Sequence, residues 1–184
     1  MLRKALLATL ALSIPAASAL PQAMVIGGGY ARDCYEAVKA GEDNFRKVDR
    51  ICTHALTQET MPRENRAAPY INRGIARMRA DRLDDSLEDY QSALDLGPQL
   101  GAAYLNRGAA LIFKKDYEAA LQALNTAIEL NTEEMHAAYY NRAIAREQTG
   151  DVTGAYYDFQ RAKEIKPDWA RVDRQLARFT VTEN

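Results

Sequence analysis

Apolar residues recur three and four positions apart along most of the chain, which is the spacing of amphipathic helices. The segment 44–57 shows this simply, because its apolar residues fall on one face of a helix. A helix is also predicted for residues 30–40, and three pairs of helices follow. The pairs cover 68–80 with 84–96, 102–114 with 118–130, and 137–149 with 153–165. Two of the pairs are closed by a proline, at positions where a helix must end: Pro98 and Pro167.

One five-residue sequence motif, which we call the phrase, recurs in the first helix of each pair. It spans residues 70–74, 104–108 and 139–143, at offsets of 34 and 35 residues, and reads Tyr-x-Asn-Arg followed by Gly or Ala. A period of this size indicates stacked copies of one structural unit rather than a single closed core. We therefore expect a protein that holds a partner, not one that catalyses a reaction.

Small residues stand beside large ones at corresponding positions of the paired helices. Interlocking helix surfaces need this alternation. The small residues of the first helices are Gly74, Gly108 and Ala143. In each second helix a small, a large and another small residue follow: Ser86, Tyr90 and Ala93; Ala120, Leu124 and Ala127; Ala155, Phe159 and Ala162. Aspartates near the starts of the second helices suit the positive end of the helix dipole: Asp84, Asp116 and Asp151.

These residues resemble the tetratricopeptide repeat, a helix-turn-helix unit of about 34 residues. The resemblance implies an all-α solenoid that forms an open right-handed superhelix. A degenerate hairpin over 29–66 comes first, and a capping helix over 168–182 covers the apolar face of the last repeat. The three repeats themselves cover residues 67–100, 101–135 and 136–169. The second repeat departs from the family pattern by one extra residue and by Thr132, which stands in place of the closing proline.

The resemblance also implies a binding site, because the first helices of this family line a concave groove that holds a peptide or a partner helix. The residues implied to contact a partner are Asn72, Asn106, Asn141, Ile71, Leu105, Tyr140, Ile75, Ile144, Met78 and Phe113. A carboxamide offers both donors and an acceptor, so the three asparagines suit a peptide backbone. The alternative is that they only hydrogen-bond a neighbouring helix, and the sequence leaves both interpretations open.

Arginine occupies a position of each repeat where the family often has leucine: Arg73, Arg107 and Arg142. Beside the groove these guanidinium groups would favour acidic groups on a ligand. The interpretation that we favour is structural, with each arginine paired to an Asp or Glu of the next unit. The tyrosines that open the phrase are expected in the core rather than at a ligand: Tyr70, Tyr104 and Tyr139.

The first nineteen residues have the layout of a secretory signal peptide. Arg3 and Lys4 precede an apolar run over 5–14, and a small-x-small pattern follows Pro15. The run is shorter than the ~20 residues of a membrane span. We therefore expect cleavage between Ala19 and Leu20, a flexible lead-in over 20–29, and a mature chain without a membrane span. An uncleaved anchor is the alternative.

The chain has two cysteines, Cys34 and Cys52. An even count in an exported chain favours a disulfide, and two antiparallel helices joined at 41–43 would bring both cysteines level. A redox or metal site with His54 is the alternative, but a helix places Cys52 and His54 on different faces. We predict a structural disulfide.

Composition excludes several classes of function. The 184 residues carry a formal net charge of −1, whereas nucleic-acid binders usually show a strong basic excess. No nucleotide, metal or nucleophile motif is present, so we expect no enzyme, no cofactor and no nucleic-acid partner. The predicted function is protein–protein interaction in a bacterial periplasm or outside the cell. The alternative is a structural or oligomerising component of an envelope complex, which uses the convex face or self-association through the repeat ends.

Overall fold

The computed structural model describes the backbone of residues 5–8 and the chain from residue 29 to residue 182. Helices α1 (Gly29–Lys39) and α2 (Phe45–Thr57) form the N-terminal hairpin, and a 3₁₀ turn follows at Arg63–Arg66. The next six helices form three further hairpins. They are α3 (Ala67–Arg79) with α4 (Leu83–Leu96), α5 (Gly101–Phe113) with α6 (Tyr117–Glu129), and α7 (Met135–Gln148) with α8 (Val152–Ile165).

The first helix of each repeat ends in the same way. The second residue after it has a positive φ, at Asp81 (60°), Lys115 (62°) and Gly150 (89°), and this left-handed conformation turns the chain back. The next amide then donates to a carbonyl five residues earlier, for example from Arg82 to Arg77. The second helices of the last two repeats are capped by aspartate side chains, as predicted, because Asp116 accepts from the amide of Ala119 and Asp151 from that of Gly154.

Consecutive hairpins stack on one another to form an all-α solenoid, in agreement with the sequence prediction. Each second helix packs on the first helix of the next hairpin, and the first helices α1, α3, α5 and α7 also contact one another. Within residues 29–182 the second helices α4, α6 and α8 do not pack closely on each other. The stack is therefore tighter along the first helices than along the second helices. We call the side of the stack formed by α1, α3, α5 and α7 the first-helix face.

The core is continuous along the stack. One cluster of buried apolar residues joins the N-terminal hairpin to the first repeat, and the other fills the second and third repeats. Leu87 and Tyr104 pack against both clusters and link them. No helix in the described part of the chain is both long and apolar enough to cross a membrane.

The C-terminus differs from the prediction. The expected helix over 168–182 is confined to α9 (Ala170–Leu176), and a short strand, β2 (Phe179–Thr182), follows it. This strand pairs antiparallel with β1 (Ala5–Ala8), with Ala5 opposite Thr182. A β-branched run, Thr180 to Thr182, suits an extended chain better than a helix. The predicted cleavage site at Ala19 and Leu20 lies outside the described residues, and so does the lead-in before Gly29.

Candidate functional site

The residues that the sequence assigned to a partner-binding groove lie on the first helices, and most of them are buried. Of the ten, only Phe113 is exposed, at 47% of its maximum surface. The carboxamides of Asn72 and Asn106 are 0% exposed and that of Asn141 is 1% exposed, and none of the three lacks an interaction partner. The other buried members are Ile71, Leu105, Tyr140, Ile75, Ile144 and Met78. Their assignment as partner contacts stays a prediction, and it requires these side chains to become accessible.

The third repeat shows one physical reason for this burial. The ring of Tyr140 packs against Trp169 and Phe159, with centroid distances of 4.8 Å and 5.4 Å. Its hydroxyl accepts a hydrogen bond from Gln175 of α9 at 3.3 Å. Tyr140 is therefore part of the seam between the third repeat and the C-terminal helix, where sequence reasoning placed it in an open groove.

The N-terminal hairpin is closed by a disulfide between its two helices and is held to the first repeat by polar contacts. The sulfur atoms of Cys34 and Cys52 lie 2.09 Å apart, at the distance of the predicted disulfide, with their Cα atoms 4.8 Å apart. Arg77 pairs with Asp49 of α2 at 2.9 Å, and Arg79 donates to the carbonyl of Val38 at 2.7 Å. The hairpin therefore continues the solenoid as a preceding unit.

The arginine of the repeated phrase is paired inside its own repeat in two cases. Arg73 donates from Nε and Nη2 to the carboxylate of Asp89, at 3.1 Å and 2.7 Å. Arg77 completes this cluster, with its Nη1 atom 2.9 Å from Oδ2 of Asp89. Burial raises the pKa of Asp89, and the hydrogen bonding of Arg73 and the positive charges of both arginines oppose that shift.

The third repeat contains an equivalent cluster. Arg142 donates from Nε and Nη2 to Asp158, both at 2.8 Å, and Arg146 lies 3.0 Å from the same carboxylate. Asp89 and Asp158 are 2% and 4% exposed. The structural interpretation of Arg73 and Arg142 is therefore correct, but the carboxylate comes from the second helix of the same repeat and not from the next unit.

Sequence reasoning missed the two buried aspartates, although a signal was present. Each lies sixteen positions after the arginine of its phrase, as Asp89 follows Arg73 and Asp158 follows Arg142. The same offset from Arg107 leads to Ala123. The second repeat therefore lacks the carboxylate that its neighbours bury.

Comparison with known proteins agrees with this architecture. The family model described as "Tetratricopeptide repeat" matches residues 71–130 and 111–168. A curated relative, human tetratricopeptide repeat protein 36, is 32% identical over 106 residues, which cover 56% of this chain and 55% of the relative. A homologue of it from Nematostella vectensis is 30% identical over 94 residues, or 47% of this chain and 52% of the relative. The chain thus spans about half the length of these relatives.

Solved structures show the same fold. The crystal structure of MamA superimposes with a TM-score of 0.64, at 22% identity, over 78% of this chain and 80% of MamA. The first repeat domain of Spaghetti (RPAP3), solved with the HSP90 peptide SRMEEVD, superimposes with a TM-score of 0.57, at 22% identity, over 60% of this chain and 87% of that domain. The matched family model covers more than half of the sequence, so the chain belongs to the tetratricopeptide repeat family.

Proposed function

We propose that this chain is a non-catalytic interaction module that binds an extended peptide or a partner helix along its first-helix face. The observation that carries the proposal is the recurrence of one carboxamide at the same point of three successive first helices, in Asn72, Asn106 and Asn141. The large residues opposite the phrase differ between repeats, from Tyr90 to Leu124 to Phe159. Because packing varies while the amide does not, a repeating ligand contact is the simpler explanation.

The chemistry of the amide suits this role. A carboxamide donates and accepts, so a row of three can bond a peptide backbone without regard to its side chains. Because the three carboxamides are buried and already have partners, a ligand must replace those partners. The exposed ring of Phe113 at the end of α5 is the apolar contact that a ligand would meet first.

Two of the solved structures with this fold contain a bound peptide. The first domain of RPAP3 was solved with the HSP90 peptide SRMEEVD and its second domain with the HSP70 peptide SGPTIEEVD. Peptide binding is therefore compatible with this stack of helices, and the partner of the present chain is a matter for experiment.

A second candidate function is supported by exposed aromatic residues elsewhere. Tyr157 on the second helix α8 is 54% exposed, and Tyr30 at the N-terminal end of the stack is 45% exposed. A structural or oligomerising role would use such surfaces on the second helices or at the ends of the solenoid. We further propose an exported protein, periplasmic or secreted, on the strength of the N-terminal sequence pattern and the Cys34–Cys52 pair.

A photo-crosslinking experiment separates the two functions. A photoreactive phenylalanine analogue is placed at Phe113 in one sample and at Tyr157 in a second, and the full chain is expressed in its own host. Groove binding predicts one specific crosslinked protein from position 113 and none from position 157. Crosslinks from position 157 alone would overturn the proposal in favour of the second candidate.

A second measurement tests the amides themselves. The variant with Asn72, Asn106 and Asn141 changed to Ala should lose the crosslink at position 113 while keeping its helical circular dichroism. Because these side chains are buried, Asn106→Ala alone serves where the triple variant does not fold, and the yield should then fall about fivefold. An unchanged yield from folded Asn106→Ala would contradict a ligand contact at this amide.

A further inference from the structure

The arginine of the repeated phrase is held in the same way in all three repeats. Its Nη1 atom donates to a polar side chain on the second helix of the preceding hairpin. Arg73 donates to Thr53 at 3.0 Å, Arg107 to Gln91 at 3.3 Å, and Arg142 to Asn125 at 2.9 Å. This common anchor engages one corner of each guanidinium group and leaves the opposite edge, formed by Nε and Nη2, for another partner.

In the outer two repeats this edge is filled by a carboxylate. Nε and Nη2 of Arg142 meet the two oxygens of Asp158, which is the two-point geometry that guanidinium and carboxylate groups prefer. Nε and Nη2 of Arg73 meet Asp89 in the same manner. The position therefore recognises a carboxylate wherever one is supplied.

The middle repeat does not supply one. Ala123 stands where the others have aspartate, and Leu111 stands where they have the second arginine. Among the residues whose side chains the structure describes, Arg107 forms no ion pair, and its side chain hydrogen-bonds only to Gln91, through Nη1. Arg107 is half-buried, and its hydrogen bond to Gln91 lies at the exposed surface, so a partner can approach this guanidinium group from solvent.

We propose that Arg107, held by Gln91, is a docking point for an aspartate or glutamate side chain of a partner protein. Because Ala123 is 7% exposed and packs in the apolar core, the partner's carboxylate would meet Nε and Nη2 of Arg107 from the solvent side. The site lies on the side of α5 that faces the second helices α4 and α6. It is thus separate from the first-helix face, and its test does not depend on the function proposed above.

Side-chain NMR of the full chain tests this directly. The probe is a short uncharged peptide with one central aspartate, compared with the same peptide carrying asparagine and with inorganic phosphate. We expect the Nε–H signal of Arg107 to shift with the aspartate peptide at a concentration about fivefold lower than with the asparagine peptide. The signals of Arg73 and Arg142 should stay in place, and so should that of the exposed Arg50. A shift with phosphate at equal or lower concentration would overturn a carboxylate-specific site.

Two variants on α6 make the test specific. Ala123→Asp should close the site from within, by giving Arg107 the partner that Arg73 and Arg142 already have, and so abolish the response to the peptide. Gln122→Asp adds the same charge one position away on the exposed surface and should leave the response within about twofold. A response that survives Ala123→Asp, or that Arg50 shares equally, would show that the peptide does not recognise this edge of Arg107.

Discussion

The middle repeat differs from its two neighbours in the residues that fill the space between its paired helices. In the first and third repeats, two arginines surround one buried aspartate between the paired helices. In the second, Leu111 and Ala123 occupy the corresponding positions and join the apolar core. The backbone course is the same in each case, so the cluster of charges is not needed to form the hairpin. The difference lies in what each repeat leaves at its surface.

In the first and third repeats an aspartate occupies the Nε and Nη2 edge of the repeated arginine. In the second repeat no carboxylate in the described part of the chain occupies this edge. A buried aspartate in this cluster occupies the Nε and Nη2 edge of the repeated arginine, and its own desolvation cost offsets much of the attraction. In the middle repeat the retained arginine is the only part of the cluster that remains. A solenoid tolerates such differences because each repeat interacts mainly with its neighbours.

The largest loss of stability should come from removing the aspartate of the charged cluster in the first repeat. Asp89→Ala leaves Arg73 and Arg77 close together, each with its side chain 14% exposed, and without their shared counter-charge. We expect the free energy of unfolding to fall by about 3 kcal/mol in chemical denaturation. Asp84→Ala, on the same helix but 84% exposed, is the matched control and should cost at most about 0.5 kcal/mol. Equal losses for both variants would mean that the cluster is not energetically distinct.

A smaller loss of stability should follow from adding a methyl group where the two helices of the second repeat are in close contact. A Cβ atom at Gly108 would lie 2.6 Å from Cγ of Leu124, which is closer than carbon atoms can approach. Gly108→Ala should therefore cost about 2 kcal/mol despite the better helix propensity of alanine. The third repeat already carries Ala143 at this point, so Ala143→Gly is the comparison and should cost about 1 kcal/mol. A stabilising Gly108→Ala would show that the hairpins are less tightly packed than the structure indicates.

The first repeat should gain stability from losing a hydroxyl group. Tyr90 is fully buried, and within the described chain its hydroxyl has no hydrogen-bond partner. Burial raises the pKa of Tyr90 well above its usual value, so the group stays neutral. Because the third repeat has Phe159 at this position, Tyr90→Phe should raise the free energy of unfolding by about 1 kcal/mol. A loss of that size in thermal and chemical denaturation would instead reveal a buried partner such as a water molecule.

The smallest net effect is expected when the first repeat is given the middle repeat's residues. The double variant Arg77→Leu with Asp89→Ala removes the charges together and leaves Arg73 anchored on Thr53. Its stability should return to within about 1 kcal/mol of the wild type, since replacing a whole buried ion cluster is often neutral. Should the double variant be as unstable as Asp89→Ala alone, the two arrangements would not be interchangeable.

Much of the fold could be predicted from the sequence, because helical periodicity and the recurring phrase are local signals. The predicted helix 118–130 differs by one residue at each end from the observed Tyr117–Glu129. The strand Phe179–Thr182 was missed because its partner, Ala5–Ala8, lies at the other end of the sequence. Pairing of that kind leaves no mark on a local hydrophobic pattern.

The candidate site was harder to predict. Family position places Tyr140 and the asparagines on the first helices, but their exposure depends on what packs over them. Tyr140 is covered by Trp169 and Gln175, whose approach depends on how α9 folds back. The pairing of Arg142 with Asp158 follows from a constant offset that only the comparison of all repeats makes visible.

The most direct measurement of the central claim is the exchange rate of the Nε–H protons of Arg73, Arg107 and Arg142, taken by NMR in one sample without any ligand. We expect the proton of Arg107 to exchange at least about tenfold faster than the other two, because its Nε is not held by a carboxylate. Three equally protected protons would contradict it, since Arg107 would then be paired within the solenoid and closed to a partner.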